Sequence, residues 1–173
     1  MSSIKEMVAD IERARSAFLN LLQSIDPESM EALIAKDRWS PVQYLEHLVR
    51  AEEATLWRMF KAVDDWRREK KAQPSPTPEA TIEEIVDRTW GERIEAPPLA
   101  VPQLGAPAAY WMVRMKRNAE IVKAFAALIR EEELDTLSYP HPISGPFTMR
   151  QGFQFVRFHI DRHRGQLEEA GLS

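Results

Sequence analysis

Residues 148–167 read TMRQGFQFVRFHIDRHRGQL, a pattern typical of one long amphipathic helix. Thr148 can cap the start of this helix, and Gln151 stands in the capping-box position. Side chains three and four residues apart share a face of a helix, so the segment presents two neighbouring stripes. The apolar stripe comprises Phe153, Val156, Ile160 and Leu167, and the second comprises Phe155, His159, His163 and Gln166.

Three further segments show the same helical periodicity, over residues 4–25, from residue 40 onwards and from about residue 108 into an acidic run at 131–133. Pro27 stops the first of them, because proline lacks the backbone donor and restricts the residue before it. No segment shows the sustained alternation typical of strands. The sequence therefore predicts an all-α protein, most simply a four-helix bundle.

The connection between the second and third long helices is unusually rich in proline. Residues 72–107 hold seven of the twelve prolines. One short helix is expected from near Pro78 through Trp90, ending at Gly91, with irregular chain around it. We interpret this connection as a crossover that lets two long helices run in the same direction, and as a candidate cover over the functional site.

Three of the four histidines are placed where they could meet. His159 and His163 are four residues apart, so their rings lie one above the other on one helical face. His47 lies about two turns into the second helix, whose start is marked by Ser40 as N-cap and Gln43 in the capping-box position. If the fold brings His47 beside the pair, the result is a three-histidine metal site with open positions, which suits a catalytic or ligand-binding ion.

Each of these residues also has a structural interpretation. A histidine pair at this spacing can equally be surface polar groups or hydrogen-bonded core residues. Gln166 could orient a ligand or a bound water, or be an ordinary polar residue at the bundle edge. His141, between two prolines, is expected to be a solvent-facing or backbone-bonding loop residue. Arginines on the last helix, such as Arg162, are expected to be solvated, with anionic substrate binding as the alternative.

Composition narrows the function classes. The chain has 173 residues, which fits a single domain over residues 1–173, and 44% of them are hydrophobic. A net charge of −4 argues against nucleic-acid binding, which usually leaves a basic footprint. No cysteine is present, so disulfides, thiolate ligands and a cysteine nucleophile are excluded. Without a leader pattern or an apolar run long enough for a bilayer, the expectation is a cytoplasmic protein without membrane contact.

Several motifs together resemble the DinB-like superfamily across essentially the whole chain. They are W-S-P-x-Q-x-x-x-H at residues 39–47, the proline-containing crossover, H-P-x-x-G-P at 141–146 and H-x-x-x-H-x-x-Q-L at 159–167. The resemblance implies a four-helix bundle of up-down-down-up order, a divalent metal held by His47, His159 and His163, and frequent homodimers.

The resemblance does not fix the reaction, because characterised members include transferases of low-molecular-weight thiols, a thiol-dependent isomerase and hydrolase-like proteins. The leading hypothesis is an enzyme that uses its metal, zinc or nickel, to activate a low-molecular-weight thiol toward a small electrophile. The same metal could activate water, so a hydrolase is the nearest alternative. A non-enzymatic protein that binds metal and a small ligand in a stress response is the other. No catalytic side chain is assigned.

Overall fold

The computed structural model describes residues 2–69, 75, 77–90 and 95–172. Its elements are α1 (Ile4–Ser24), α2 (Pro27–Glu31), α3 (Pro41–Glu69), α4 (Ile82–Thr89), α5 (Ala108–Leu128), β1 (Ser138–His141), β2 (Gly145–Thr148) and α6 (Met149–Glu169). The four long helices form a bundle in which α1 and α3 each pack against both α5 and α6. The predicted four-helix bundle is confirmed, and the up-down-down-up order stays a prediction.

Local capping sets where the long helices begin. In α3, the Gln43 amide donates to the Ser40 hydroxyl at 3.4 Å and the Ser40 amide donates to Gln43 Oε1 at 2.9 Å. Thr148 and Gln151 make the equivalent reciprocal pair at the start of α6, at 2.9 and 3.1 Å. Both predicted capping boxes are confirmed, and each satisfies backbone donors that the first turn leaves unpaired. None of the described helices combines the length and apolarity needed to cross a membrane.

A buried ion pair ties three of the helices together. Arg15 of α1 donates to both carboxylate oxygens of Glu52 in α3, at 2.6 and 3.0 Å. Asn118 of α5 adds a 3.3 Å hydrogen bond to the same carboxylate. Both charged side chains are about 95% buried, so each depends on the other for compensation of its lost hydration.

The segment before α6 contains a feature that the sequence did not predict. Residues 138–148, expected to be only turn-rich, form the antiparallel hairpin β1–β2, with Tyr139 opposite Phe147. Each strand has four residues, too few to establish an alternating pattern. Tyr139 and Phe147 are fully buried against the bundle, so tertiary packing stabilises this short hairpin.

The third long helix also differs from expectation. It ends at Leu128, and the acidic run forms one tight turn at Glu131–Glu133. The periodic pattern predicts a buried face that includes Tyr110, Ile121 and Leu128, but these three residues are exposed at 44%, 41% and 39%. The periodic pattern is therefore wider than the surface that α1 and α3 cover.

The described part of the crossover includes the predicted short helix and a stretch that lies along the start of α3. Helix α4 buries Ile82, Ile85 and Val86, and Trp90 caps its end. Gly91, where this helix was predicted to end, lies outside the described residues. Further along, Glu46 of α3 accepts hydrogen bonds from the amides of Gln103 and Leu104, at 2.8 and 3.0 Å. These bonds hold the described part of the crossover near His47.

Candidate metal centre

Helix α3 contributes one imidazole to a buried cluster. His47 follows the capped start of the helix and is only 5% exposed. Its Nδ1 donates to the carbonyl oxygen of Ala100 at 2.9 Å. This bond fixes the ring plane. Because Ala100 belongs to the crossover, the crossover contacts the cluster directly, as expected of a segment that covers the site.

Helix α6 contributes the other two imidazoles. His159 and His163 lie one turn apart, and their Nε2 atoms are 2.9 Å from each other. The Nε2 of His47 is 3.1 Å from that of His159. One potential ligand atom from each residue lies within 4.8 Å of the other two. The structure thus brings together the three histidines that the sequence singled out.

The hydrogen bonds on the far side of two rings decide which nitrogens face inward. A carbonyl oxygen can only accept, so His47 carries its proton on Nδ1 and directs the Nε2 lone pair into the cluster. The same holds for His163, whose Nδ1 donates to Oε1 of Gln166 at 2.7 Å. The Nε2 of His159 therefore faces two lone pairs with at most one proton to share. A cation at this point would satisfy all three nitrogens, so the donor set fits a divalent metal.

Burial keeps these rings neutral near pH 7. It lowers the pKa of His47 to about 4, against a smaller opposing effect of the Ala100 hydrogen bond. Burial and the neighbouring His47 ring lower the pKa of His163 to about 3. Burial and the neighbouring His163 and His47 rings hold the pKa of His159 well below its usual range. Neutral imidazole is the form that binds metals.

A cavity of about 500 Å³ opens beside the cluster, a size suited to a small molecule. Its walls come from α3, α6, the crossover, the hairpin and the loop before α3. Aromatic rings form one part of the lining, and small residues of α3 form another. The lining includes Trp39, Tyr44, Trp90 and Phe155, the small residues Ala51, Ala54 and Thr55, and the arginines Arg38, Arg58 and Arg162.

Two further sequence candidates, Gln166 and His141, take different places. Gln166 accepts a hydrogen bond from His163, and its orienting role stays a prediction. His141 accepts from the amides of Ile143 and Ser144 at 3.4 and 3.1 Å, which confirms a backbone-bonding residue. It is not solvent-facing, because the hairpin and Phe155 bury it to 7% exposure.

Apart from Arg162, which the sequence offered as an alternative anion-binding residue, sequence reasoning missed the rest of the cavity wall. Arg58 lies eleven residues after His47, a spacing that repeats the same helical face three turns on, so its position was available from the sequence. Trp90 holds its place by donating from Nε1 to Ser144 Oγ at 2.9 Å, a contact between distant segments that no local pattern encodes. Arg162 is exposed, as expected, and its guanidinium lies 5.3 Å from the Trp90 ring centroid. It therefore also forms part of the cavity edge.

Comparison with known proteins places this site in a family context. The model of the DinB superfamily matches residues 10–167. Among curated proteins, the uncharacterised protein YuaE of Bacillus subtilis (strain 168) is 27% identical over 160 residues, covering 90% of this chain and 91% of YuaE.

Solved structures that share the fold include YfiT and ClbS. YfiT from Bacillus subtilis, described as a probable metal-dependent hydrolase with an unusual four-helix bundle topology, superposes with a TM-score of 0.68 at 11% identity, covering 99% of this chain and 88% of YfiT. The colibactin self-resistance protein ClbS, solved in complex with double-stranded DNA, gives a TM-score of 0.59 at 15% identity, covering 99% and 96% of the two chains. At these identities the likeness shows the fold alone.

Proposed function

The chain belongs to the DinB superfamily, and on that premise we propose that it holds a divalent metal ion, zinc or nickel, through His47, His159 and His163. The observation that carries the proposal is the convergence of three Nε2 atoms, two of them on rings fixed from behind by hydrogen bonds. The description of YfiT as a probable metal-dependent hydrolase supports a metal in this fold.

Three protein ligands leave coordination positions open, which suits a reactive ion better than a structural one. A bound divalent metal lowers the pKa of a coordinated thiol or water and so supplies a nucleophile near neutral pH. The chain's own residues contribute the surroundings. Trp39 and Trp90 give the cavity apolar walls beside the cluster, and Ala100 and Gln166 hold the flanking imidazoles in place.

We propose a thiol-dependent transferase in preference to a hydrolase. Metal-dependent hydrolases often place a carboxylate beside the bound water as a general base. Here the nearest carboxylates in sequence are committed elsewhere: Glu46 accepts from crossover amides, and Asp161 pairs with surface arginines. Among the described residues no carboxylate bonds to the three imidazoles. A metal-activated thiol needs no such base. Since the chain has no cysteine, the thiol would come from a small-molecule substrate.

The test combines metal content with turnover. Wild-type protein should contain about one metal ion per chain by elemental analysis, and His47→Ala should lose it. His141→Asn is the matched control, because it alters a cavity histidine outside the cluster and keeps an acceptor for the hairpin amides. Metal-loaded protein is then assayed with cellular thiols and a chromogenic electrophile. No thiol-dependent turnover with any of them would refute the transferase.

The same samples separate the alternatives. Metal-dependent hydrolysis of a chromogenic ester without thiol would favour the hydrolase that the YfiT description supports. Metal binding without turnover in either assay would favour a non-enzymatic binding protein. Full metal content in His47→Ala would refute the three-histidine centre itself.

We propose Gln166 as a positioning residue, since its Oε1 bonds the far side of His163. Replacing such a group weakens metal affinity by roughly 10–100-fold. Gln166→Leu should show this loss by competition with a chelator, whereas Gln166→Glu, which keeps an acceptor, should restore it. Equal affinity in wild type and Gln166→Leu would show an ordinary polar residue.

We further propose a homodimeric cytoplasmic protein that acts on a small molecule and not on nucleic acid. The net charge of −4 disfavours a DNA surface, although ClbS was solved with DNA. A dimer is supported by large exposed apolar side chains on the adjacent helices α3 and α5, including Trp57 (64% exposed), Phe60 (52%) and Val113 (67%). Trp57→Glu should shift the species measured by light scattering toward monomer, and an unchanged mass would place the interface elsewhere.

A further inference from the structure

We propose that the cavity beside the histidines selects small molecules that carry an oxyanion, and that Arg58 is the residue that binds it. The inference deepens the proposed function, because it takes the histidine cluster as the reacting end of the same cavity. It assigns a substrate class, anionic thiols or their anionic adducts, and one specificity-determining side chain.

The first argument is the pairing of the arginines. Arg58 is half-buried in the cavity wall, and among the residues that the structure describes it has no carboxylate partner. Within the described ranges, its guanidinium makes a single hydrogen bond, to the Ala54 carbonyl oxygen at 3.1 Å. Arg38 and Arg162, the other arginines of this wall, likewise have no carboxylate partner in the described part of the chain. Elsewhere in the bundle partly covered arginines are paired, as Arg114 is with Glu53 at 2.6 Å.

A guanidinium that loses part of its hydration without an anionic partner is unfavourable unless a ligand supplies that partner. Its planar set of donors matches the two oxygens of a carboxylate or phosphate, which it can bind through two hydrogen bonds. The acidic residues of the cavity lining, Asp37 and Glu95, are exposed at the rim and do not reach Arg58. The wall therefore leaves a positively charged donor facing the space where a substrate would lie.

The second argument is the geometry of α3. His47, Ala51, Ala54 and Arg58 recur at helical spacing and line the cavity together, so they form one continuous floor. The two alanines keep this floor open between the imidazole and the guanidinium. Arg58 leans back toward the start of the helix to reach the Ala54 carbonyl, which places its guanidinium on the order of 10 Å along the axis from His47. A ligand with its reacting atom at the cluster and its oxyanion at Arg58 would span that length.

The test uses simple probes of known length on the metal-loaded protein. Mercaptooctanoic acid, with a terminal thiol, is long enough to reach both ends of the floor, and mercaptooctanol is its uncharged counterpart. Mercaptoacetic acid carries the same groups on a chain too short to span them. Dissociation constants are measured by calorimetry for wild type, Arg58→Gln and the control Arg117→Gln. Arg117 is an exposed arginine of α5 that is also without a carboxylate partner in the described part of the chain.

We expect wild type to bind the long acid roughly 10–100-fold more tightly than the alcohol, the range for a hydrogen bond to a charged group. Arg58→Gln should reduce this ratio to within about threefold, while Arg117→Gln and the metal content remain as in wild type. Mercaptoacetic acid should show no effect of the Arg58 substitution. If inorganic phosphate competes with the long acid, the natural anion is identified as a phosphate ester. If it does not compete, the natural anion is identified as a carboxylate.

The outcomes separate this inference from the function it builds on. Normal metal content and thiol turnover with equal binding of acid and alcohol would refute the anion site alone. If wild-type protein takes up no metal and still prefers the acid, and Arg58→Gln loses this preference, the anion site is supported and the metal centre is refuted. An acid preference that survives the substitution would assign it to another residue and overturn the role of Arg58.

Discussion

Replacing Gly152 of α6 with alanine, a change that normally stabilises a helix, should not stabilise this protein. A Cβ atom added there would lie 2.8 Å from Cε and Sδ of Met59 and 2.8 Å from Cε1 of Tyr139. Met59 and Tyr139 are 0% and 1% exposed, so neither side chain has free space to move into. The close approach also matters for the site, because α6 lies against α3 here, two turns before His159.

Two effects oppose each other in Gly152→Ala. Replacing glycine inside a helix gains about 1 kcal/mol of helix propensity. Overpacking a filled core costs about 1–3 kcal/mol, so the net change should lie between neutral and a loss of about 2 kcal/mol. Gly165 is the control in the same helix, because an added Cβ there has nothing within 4 Å. Gly165→Ala should gain about 0.5–1 kcal/mol.

The two variants should therefore differ by roughly 1–3 kcal/mol in unfolding free energy, measured by urea denaturation of the metal-free proteins. For a domain of this size each kcal/mol corresponds to about 2–4 °C in Tm. The double variant should show the sum of the two changes, since the sites are far apart along the helix. A Gly152→Ala protein as stable as Gly165→Ala would refute the claim that α6 needs glycine to approach α3 and the hairpin.

Three other predictions address stability. Glu52→Ala should lower the unfolding free energy by about 3–5 kcal/mol, because it leaves Arg15 buried without its partner. The double variant Arg15→Met/Glu52→Leu should recover most of that loss, as measured by urea unfolding. Equal losses in the two variants would contradict a buried ion pair. Burial of Glu133 would raise its pKa, but hydrogen bonds from Arg67 and Arg130 prevail and lower it to about 2, so its stabilising contribution is complete above about pH 4.5 and lost as the pH falls toward 2. Wild type should therefore be more stable than Glu133→Gln at pH 7, by roughly 1–2 kcal/mol of unfolding free energy because solvent screens the exposed Arg130. This difference should become smaller between pH 7 and pH 3. An equal difference at both pH values would contradict the prediction. Chelation should lower Tm by about 5–10 °C if the metal is present at about 100 times its Kd, and His47→Ala should melt at the same temperature with and without chelator.

The helix starts were predictable because their causes are local. Capping boxes join residues three apart, so Ser40 with Gln43 and Thr148 with Gln151 could be identified from spacing alone. The shared face of His159 and His163 follows equally from helix geometry. The hairpin at residues 138–148 was not predictable, because its strands are too short for a pattern and are stabilised by packing against the bundle.

By itself, the sequence determined that this chain forms long amphipathic helices and that two imidazoles stand together on one of them. Only the tertiary structure decided that His47 meets them, that Ala100 and Gln166 fix the outer rings, and that Arg58 faces the same cavity. The reason is physical. Periodicity and capping act within a few residues, whereas the distance between α3 and α6 depends on how the whole core packs, including the space left at Gly152.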